Sequence, residues 1–197
     1  MSETQTLKIR HLVQDVPIGT IQIYSGSTDN KTDEGRLNRA ALLSQGYLIC
    51  DGSEVSVKDY ETLYKLIKNY YGKPSNNSMF RLPDLRGVFL RGTDYQRGLD
   101  PDKDSRSYGG YTGATGNQVG SMQEDQLRSH KHFMGYLHKR SFMGSNDRDK
   151  PIKDCEGSDY FTGEAGGHET RPVNLNVDYI IKASYVVTEQ EVTISLG

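Results

Sequence analysis

The sequence predicts an α+β fold, mostly β and irregular, with a small one-helix domain followed by an intertwined, Gly-rich C-terminal region. One segment has apolar residues at helical spacing, and several short segments alternate apolar and polar residues as strands do. Two long Gly-rich stretches show neither period. Only 34% of the 197 residues are hydrophobic. Because that is a thin core for this length, we expect a trimer whose copies complete one another's cores.

The N-terminal part predicts an arm, a strand and a loop. Residues 1–15 are polar with scattered apolar residues, which indicates an attachment segment or a loose terminus. In residues 18–24 the apolar side chains of Ile21 and Ile23 are expected to face one way, as in a half-buried strand. Residues 25–39 are rich in Ser, Asp, Asn, Lys and Gly, and they predict an exposed loop.

A second strand and the helix follow. The apolar residues 47–50 predict a short strand that ends at an Asp-Gly turn. Ser56 is a residue type favoured at helix N-caps, and Gly72 with Pro74 ends the predicted helix. The apolar stripe of this helix occupies positions i, i+3, i+4 and i+7, which are Tyr60, Leu63, Tyr64 and Ile67.

The rest of the chain predicts irregular structure interrupted by strands. The segment around Pro83 is predicted to be an ordered crossing rather than a central strand, because proline cannot donate to a ladder. Residues 88–91 predict a short strand. Residues 93–118 predict a functional loop, or a segment ordered by another chain. Alternation returns in two predicted strands, residues 176–187 and 191–196.

Composition excludes several classes of protein. The formal net charge is -2 and no long basic run occurs, so the electrostatic footprint of a nucleic-acid binder is missing. No apolar run approaches the ~20 residues that span a bilayer, and the N-terminus does not resemble a secretory signal. Cys50 and Cys155 are the two cysteines; Cys50 lies in an apolar run and is predicted to be a buried free thiol.

No enzyme motif occurs in the sequence. Asp100, Asp102 and Asp104 have the opening spacing of a calcium loop, but Ser105 replaces the required Gly and Tyr111 the closing Glu. P-loop, nucleophile-elbow, zinc-protease and Cys-x-x-Cys signatures are missing. The carboxylates are not paired by any spacing typical of a glycosidase. We therefore expect a protein that is not an enzyme, with a hydrolase of surface polysaccharide as the least favoured alternative.

His130 and His132 are the candidate metal ligands. Residues i and i+2 of an extended segment point to the same face, so both imidazoles are expected to point one way. Two nitrogens are too few to hold a transition metal firmly, whereas three copies around a threefold axis would supply six. An imidazole set suits zinc, iron, nickel or copper. We expect one divalent ion, iron or zinc, shared on the axis of a trimer. The alternative is a pair of solvated loop histidines.

Three blocks of sequence together resemble the phage tail-collar and tail-fibre family. The first, which is similar to the collar domain of short tail fibres, comprises residues 17–21, 46–52, the helix, 80–87 and 89–92. The second resembles the segment of the fibre tip with the His-x-His pair, and comprises residues 119–125 and 129–132. The third resembles the C-terminal block of the family, and comprises residues 169–176 and 179–182.

The resemblance implies a domain organisation of four parts. Residues 1–15 would be the attachment segment, 16–92 the tail-collar domain, 93–185 the trimeric tip region with a variable insertion at 133–165, and 186–197 a C-terminal strand. It also implies a metal-binding role for His130 and His132. The insertion has no family pattern, but aromatic residues alternate there with polar ones, as in a binding surface. The candidate receptor-binding residues are Tyr136, Phe142, Tyr160 and Phe161.

The resemblance implies a non-enzymatic homotrimer in the tail of a phage or of a phage-like contractile injection particle, made in the bacterial cytoplasm. Its expected partners are other tail, fibre or baseplate proteins and a glycan or protein on the host surface. Fibres of the family usually carry a long shaft before the collar, whereas here about fifteen residues precede it. The chain is therefore expected to be a tip module on another fibre protein, or a small collar or baseplate fitting. Attachment to a receptor is the first hypothesis, and a purely structural baseplate or collar adaptor is the alternative.

Overall fold

A computed structural model describes residues 3–13, 16–107, 113–126, 129 and 172–196 of the chain, and only some side chains of its two terminal strands. These residues form mostly strands with two α-helices, so the predicted α+β class is confirmed. The chain divides into two units, Met1–Glu124 with Leu175–Gly197, and Asp125–Asn174. The elements are β1 (Glu3–Val13), β2 (Ile21–Tyr24), α1 (Asp33–Ser44), β3 (Tyr47–Ile49), β4 (Glu54–Ser56), α2 (Glu61–Ile67), β5 (Met79–Arg81), a 3-10 turn (Lys103–Ser105), β6 (Asp178–Lys182) and β7 (Val186–Leu196).

A three-stranded antiparallel sheet with the order β2-β6-β3 is the centre of the first unit. Strand β6 comes from the C-terminal part of the chain and lies between two strands from the N-terminal part. Its last three residues are buried, and they contribute to cores on both faces of the sheet. Ile181, 1% exposed, packs in a large core with Leu63 of α2 and Phe80 of β5, whereas Ile180 packs with Leu42 of α1 in a smaller one.

Helix α1 is absent from the sequence prediction, so the predicted exposed loop at residues 25–39 is wrong over its second half. Thr32 caps the helix, and its Oγ1 accepts a hydrogen bond of 3.0 Å from the backbone N–H of Gly35. The helix carries no apolar stripe, because Leu42 is buried but Leu37 and Leu43 are more than half exposed. Without a stripe, hydrophobic periodicity gives no signal.

The predicted helix exists but is shorter than expected. Helix α2 begins after Tyr60 and ends at Ile67, because the next residue, Lys68, adopts a φ of 45°. Ser56 is not its N-cap; the Ser56 Oγ accepts a hydrogen bond of 3.3 Å from Asp59 N in the turn before the helix. The stripe itself is confirmed, since Leu63 and Ile67 are buried and the ring of Tyr64 packs on Phe80 with centroids 5.4 Å apart.

Two other local predictions differ from the structure, and the N-terminal segment is more regular than the sequence indicated. Residues 88–91 form no strand, and Phe89 and Leu90 are more than half exposed there. Ile23 is 69% exposed although it was expected to share the buried face of Ile21. Residues 1–15 contain β1, which pairs along eleven residues with β7. The crossing near Pro83 agrees with prediction, since β5 ends before it and pairs only with β4.

Within the described ranges, no helix has the length and apolar character that crossing a bilayer requires.

A buried lysine joins the sheet to helix α1. Lys182 ends strand β6 and is 2% exposed. Its Nζ donates a hydrogen bond of 2.9 Å to the carbonyl of Gln45, the C-cap of α1, and lies 4.5 Å from the centre of the Tyr47 ring. Carbonyl groups at a helix C-terminus carry partial negative charge, which favours a cation there. The lysine therefore fastens the end of α1 to the central strand.

Gly46 allows the backbone of β6 to approach the end of α1. It has a φ of 80°, and its carbonyl accepts hydrogen bonds from Ala183 N (2.8 Å) and Ser184 N (3.1 Å). A Cβ at this position would overlap the backbone carbonyl of Ser184. Only glycine satisfies both the left-handed conformation and this close approach.

Replacing Gly46 with alanine is expected to lower the free energy of unfolding by about 2–5 kcal/mol, from the left-handed backbone and from overpacking together. Gly87→Ala is the matched control, because Gly87 has a φ of 69° but no atom lies within 4 Å of the position that its Cβ would take. The control should lose only about 1–2 kcal/mol. Denaturant unfolding of both variants at one protein concentration measures the difference, and equal losses would contradict the close approach.

Candidate functional site

The residues predicted to bind metal or receptor lie outside the described residues. His130 and His132 belong to this group, as do the aromatic candidates Tyr136, Phe142, Tyr160 and Phe161. Among the residues that the structure describes, no three His, Cys, Asp or Glu residues are placed to hold a metal ion together. The metal and receptor sites therefore stay predictions from sequence.

The described part of the chain contains a groove beside the large core, with a volume of about 480 Å³. One part of its lining is apolar and includes Tyr71, Leu85 and Met122. The other part is polar and comes mainly from residues 93–124, the first portion of the predicted tip region. This groove is the candidate binding site that the structure itself supplies.

Arg106 holds the polar wall of the groove together. Its Nη1 lies 3.2 Å from Asp100 Oδ2 and also donates to the side-chain oxygen of Gln123. Its Nε donates to Ser121 Oγ and its Nη2 to the carbonyl of Ser121, both at 3.0 Å. A planar guanidinium has donors in several fixed directions, so one side chain can order two chain segments. We call Arg106, Asp100, Ser121 and Gln123 the Arg106 cluster.

Two backbone links reinforce this wall. Ser107 and Met122 form a bridge with hydrogen bonds of 2.8 and 3.1 Å, and the N–H of Ala114 donates to the carbonyl of Tyr70 at 2.9 Å. Residues 93–118 were predicted to be a functional loop or a segment ordered by another chain. In its described parts, residues 93–107 and 113–118, the structure shows order from contacts within the same chain.

Asp94 organises the turn that leads into the cluster. Its carboxylate accepts hydrogen bonds from the backbone N–H groups of Gly98 (3.0 Å), Leu99 (2.7 Å) and Asp100 (3.1 Å). Desolvation alone would raise the pKa of Asp94, but these three donors lower it below its usual value. The turn is therefore held by a carboxylate that stays ionised.

Three of the four carboxylates that line the groove are engaged as acceptors. Asp100 is 5% exposed and faces Arg106, and Asp94 is bound by backbone amides. Asp84 accepts from Arg86 Nε at 2.7 Å and Nη2 at 2.6 Å, and these bonds lower the pKa of Asp84. A general acid needs a pKa near the working pH. These three carboxylates therefore serve to hold the described wall in shape.

The same geometry bears on the aspartates with calcium-loop spacing. Asp100 is neutralised by the guanidinium of Arg106, and its Oδ1 accepts a hydrogen bond of 3.2 Å from Asp102 N. The guanidinium of Arg106 is therefore the principal cation that this carboxylate contacts. Both oxygens of Asp100 are thus engaged by groups of the same chain.

Large apolar side chains are exposed around the groove. Phe89, Leu90 and Val119 line it and are each more than half exposed. Single exposed apolar residues are normal, but a concentration within about thirty residues is typical of a surface that associates with another molecule. The described groove is thus bordered by apolar side chains whose burial against another molecule would be favourable.

Cys50 is a buried free thiol, as predicted. Burial, together with the nearby carboxylates of Asp51 and Asp84, raises the pKa of Cys50 to about 12. Because only the thiolate reacts as a nucleophile or metal ligand, this cysteine is chemically inert at neutral pH. The second cysteine, Cys155, lies outside the described residues.

Replacing Arg106 with methionine is expected to destabilise the groove wall by about 2–4 kcal/mol, because it leaves the buried Asp100 carboxylate without its principal cation. Faster amide hydrogen exchange in residues 113–123 measures the loss. Arg91→Met is the matched control, since the Arg91 side chain is 51% exposed and its Nη2 lies 3.7 Å from Asp100. Its effect should stay below about 1 kcal/mol. If both variants exchange alike, Arg106 does not organise the wall.

The sequence contains no signal that identifies the Arg106 cluster. Ser121 and Gln123 are far from Arg106 in a Gly-rich segment without periodicity, and arginine has no characteristic spacing to such partners. An Arg within a long Gly-rich loop is the only hint, because a chain with few apolar contacts needs polar ones to become ordered.

Comparison with known proteins gives one family match. Residues 19–90 match the model of the Phage Tail Collar Domain. These residues contain β2, α1, β3, β4, α2 and β5. The match therefore covers two of the three strands of the central sheet, and β6 is outside it.

Relatives extend the similarity beyond that domain. The chain is 33% identical over 151 residues to Protein RhiB of Rhizobium leguminosarum bv. viciae, covering 71% of this chain and 64% of the relative. It is 28% identical over 204 residues to Short tail fiber protein gp12 of Enterobacteria phage T4, covering 85% and 35%. It is 27% identical over 154 residues to the StfE protein of Escherichia coli (strain K12), covering 71% and 80%. The first two relatives are thus covered over less than two thirds of their own length.

Proposed function

Because the chain belongs to the phage tail-collar and tail-fibre family, we propose that it is a non-enzymatic fibre or collar protein that attaches a phage, or a phage-like contractile injection particle, to its host cell. One observation carries the proposal. The collar model ends at residue 90, yet similarity to the short tail fibre protein covers 85% of the chain. The similarity thus includes residues beyond the collar, where a fibre would meet a receptor.

The described groove supports binding rather than catalysis. Three of its carboxylates accept hydrogen bonds from Arg106, Arg86 and backbone amides, and these bonds lower the pKa of Asp84 and of Asp94. The exposed apolar residues around it fit a surface that is covered in an assembly. We propose that the assembly is a homotrimer located in the virion tail or particle, joined to other tail, fibre or baseplate proteins.

Receptor binding is proposed to use the aromatic residues of 133–165. Replacing Tyr136, Phe142, Tyr160 and Phe161 together with alanine should reduce adsorption of the purified protein to host cells at least about tenfold, since aromatic anchors carry much of the energy of recognition. Tyr95→Ala, at a tyrosine 68% exposed and outside this stretch, is the matched control. Binding to a panel of bacterial strains and to a glycan array measures the effect.

The outcomes separate the receptor hypothesis from the adaptor hypothesis. Loss of adsorption by a variant that keeps the wild-type oligomeric state supports recognition by the insertion. Unchanged adsorption would exclude these four residues. A wild-type protein that binds purified particles but neither cells nor glycans would favour the structural adaptor.

The metal site is proposed at His130 and His132, on the ground of their spacing and of the family resemblance. Three copies would hold one divalent ion, iron or zinc, on the threefold axis. We expect one ion per three chains and a melting temperature about 5–10 °C lower after treatment with EDTA. Neutral imidazole is the ligand, so the ion should be released as the pH falls below about 6.5.

Replacement of both residues with alanine should remove the ion and the effect of EDTA. The matched control replaces two other histidines, His138→Ala with His168→Ala, and should keep both. Protein that is purified without chelator, holds far less than one ion per three chains, and melts at the same temperature with and without EDTA would contradict the metal site.

A further inference from the structure

The two ends of the chain form a ribbon that a single copy leaves incomplete. Strands β1 and β7 pair from Glu3 with Leu196 to Val13 with Val186. Eleven pairs extend about 37 Å at 3.4 Å per residue. In the described residues this sheet has two strands, so each strand has one edge directed away from its partner. Isolated two-stranded ribbons are marginal in water, and long open edges are sites of further strand pairing.

The ribbon has two chemically different faces. Strand alternation puts the pairs Lys8 with Glu191 and Arg10 with Glu189 on one face. Ion pairs of 3.3 and 2.7 Å connect them. Seven of the twelve residues at the register positions of the opposite face are apolar, against two of ten on the charged face. The pairs of that opposite face are Glu3 with Leu196, Gln5 with Ile194, Leu7 with Val192, Ile9 with Gln190, His11 with Thr188 and Val13 with Val186. That face is rich in apolar residues, so its burial against other protein would be favourable.

The two strands also carry opposite charge. Strand β1 contains Lys8 and Arg10, and its one acidic residue, Glu3, is at the far end. Strand β7 contains Glu189 and Glu191 and no basic residue. The side chains of the four central charges are between 45% and 75% exposed, so they remain accessible from the outer edges. A basic edge and an acidic edge on one ribbon are complementary between copies.

We propose that three ribbons join edge to edge, with β1 of one copy against β7 of the next, into a closed six-stranded antiparallel sheet. The inference rests on the proposed homotrimer and deepens the proposed function, because the closed sheet would hold the three copies together. We call this closed sheet the clasp. Cyclic rotation about an axis along the ribbons keeps every neighbouring pair of strands antiparallel. A head-to-tail contact of this kind closes into a ring and leaves no open edge.

Closure accounts for both faces of the ribbon. The apolar face turns inward, where the side chains of a small closed sheet fill its interior. The charged face turns outward, and each basic residue of β1 then has acidic neighbours on both sides, one from its own chain and one from the next. Opposite charges across strands stabilise a pair, whereas like charges destabilise it. The occupant of each edge is therefore a second copy of this chain.

A charge-swapped chain tests contacts between copies separately from those within one ribbon. It carries Lys8→Glu, Arg10→Glu, Glu189→Arg and Glu191→Lys, so every pair within its own ribbon is kept with reversed sign. By itself it should form the same oligomer as the wild type. In mixed trimers, however, β1 of one kind would meet β7 of like charge at two of the three junctions. Co-expression of two differently tagged chains, followed by native mass spectrometry, counts the mixed species.

Wild-type chains with two tags should mix at random, which makes about three quarters of the trimers mixed. Wild-type and charge-swapped chains should give a mixed fraction at least about threefold lower. The matched control exchanges the exposed ion pair of α2, with Glu61→Lys and Lys65→Glu, and should mix at random. Random mixing of wild-type and charge-swapped chains would overturn the proposed clasp but would leave the proposed trimer standing. A wild-type monomer would overturn the trimer as well.

A second measurement uses the wild-type protein alone, in case the charge-swapped chain does not fold. In an open two-stranded ribbon about half of the amides point away from the partner strand and exchange within seconds, whereas in a closed ring nearly all are protected. Hydrogen exchange of peptides from residues 3–13 and 186–196 should therefore show nearly complete protection. Rapid exchange of half of these amides in the purified trimer would overturn the proposal, and would leave the edges to another particle protein.

Discussion

Insertion of β6 between β2 and β3 is the constraint on which the other features depend. Lys182 N donates to the carbonyl of Thr20 at 2.9 Å, and Cys50 N donates to that of Tyr179 at 2.9 Å, so one strand joins both halves of the sheet. The chain must leave the sheet after β3 and return to it at residue 178. The groove wall and residues 93–177 of the predicted tip region therefore lie in the sequence between β3 and β6, two strands that are neighbours in space. The same closure brings the start of β7 beside the end of β1, which makes the terminal ribbon feasible. A sheet built from such distant segments has high contact order and is expected to fold slowly.

The fold was predictable where packing leaves a period in the sequence. Helix α2 has a stripe because Leu63 and Ile67 face the core, and β6 alternates because Tyr179 and Ile181 share one face. Helix α1 was not predictable in this way, since Leu37 and Leu43 are exposed and its position depends on a cap at Thr32. The central position of β6 in the sheet was also not predictable from the sequence. Its last residue, Lys182, would ordinarily indicate solvent, yet its charge is directed to the C-terminus of α1. Pairing partners and caps are tertiary facts, and periodicity does not encode them.

The residues of the candidate site likewise divide into those that the sequence predicts and those that only the structure identifies. His130, His132 and the aromatic residues of the insertion come from spacing and resemblance, and they stay predictions. The Arg106 cluster comes from the structure, because hydrogen bonds between separate parts of a Gly-rich segment leave no pattern in the sequence. Within the described residues, the polar side chains of the site are used to maintain the shape of the groove wall. Carboxylates such as Asp84 and Asp94 are kept ionised by their donors.

Residue-resolved hydrogen exchange on the intact protein tests the role of β6 most directly. The amides of Lys182 and Cys50 join β6 to its two neighbours, so they should exchange only by global unfolding, with protection within about tenfold of each other and the highest in the chain. The amides at Val88 and Arg97, held by bonds of loops, should exchange much faster. If Lys182 exchanged as fast as these loop amides while strands β4 and β5 stayed protected, β6 would be an accessory strand, and its central role in the fold would be contradicted.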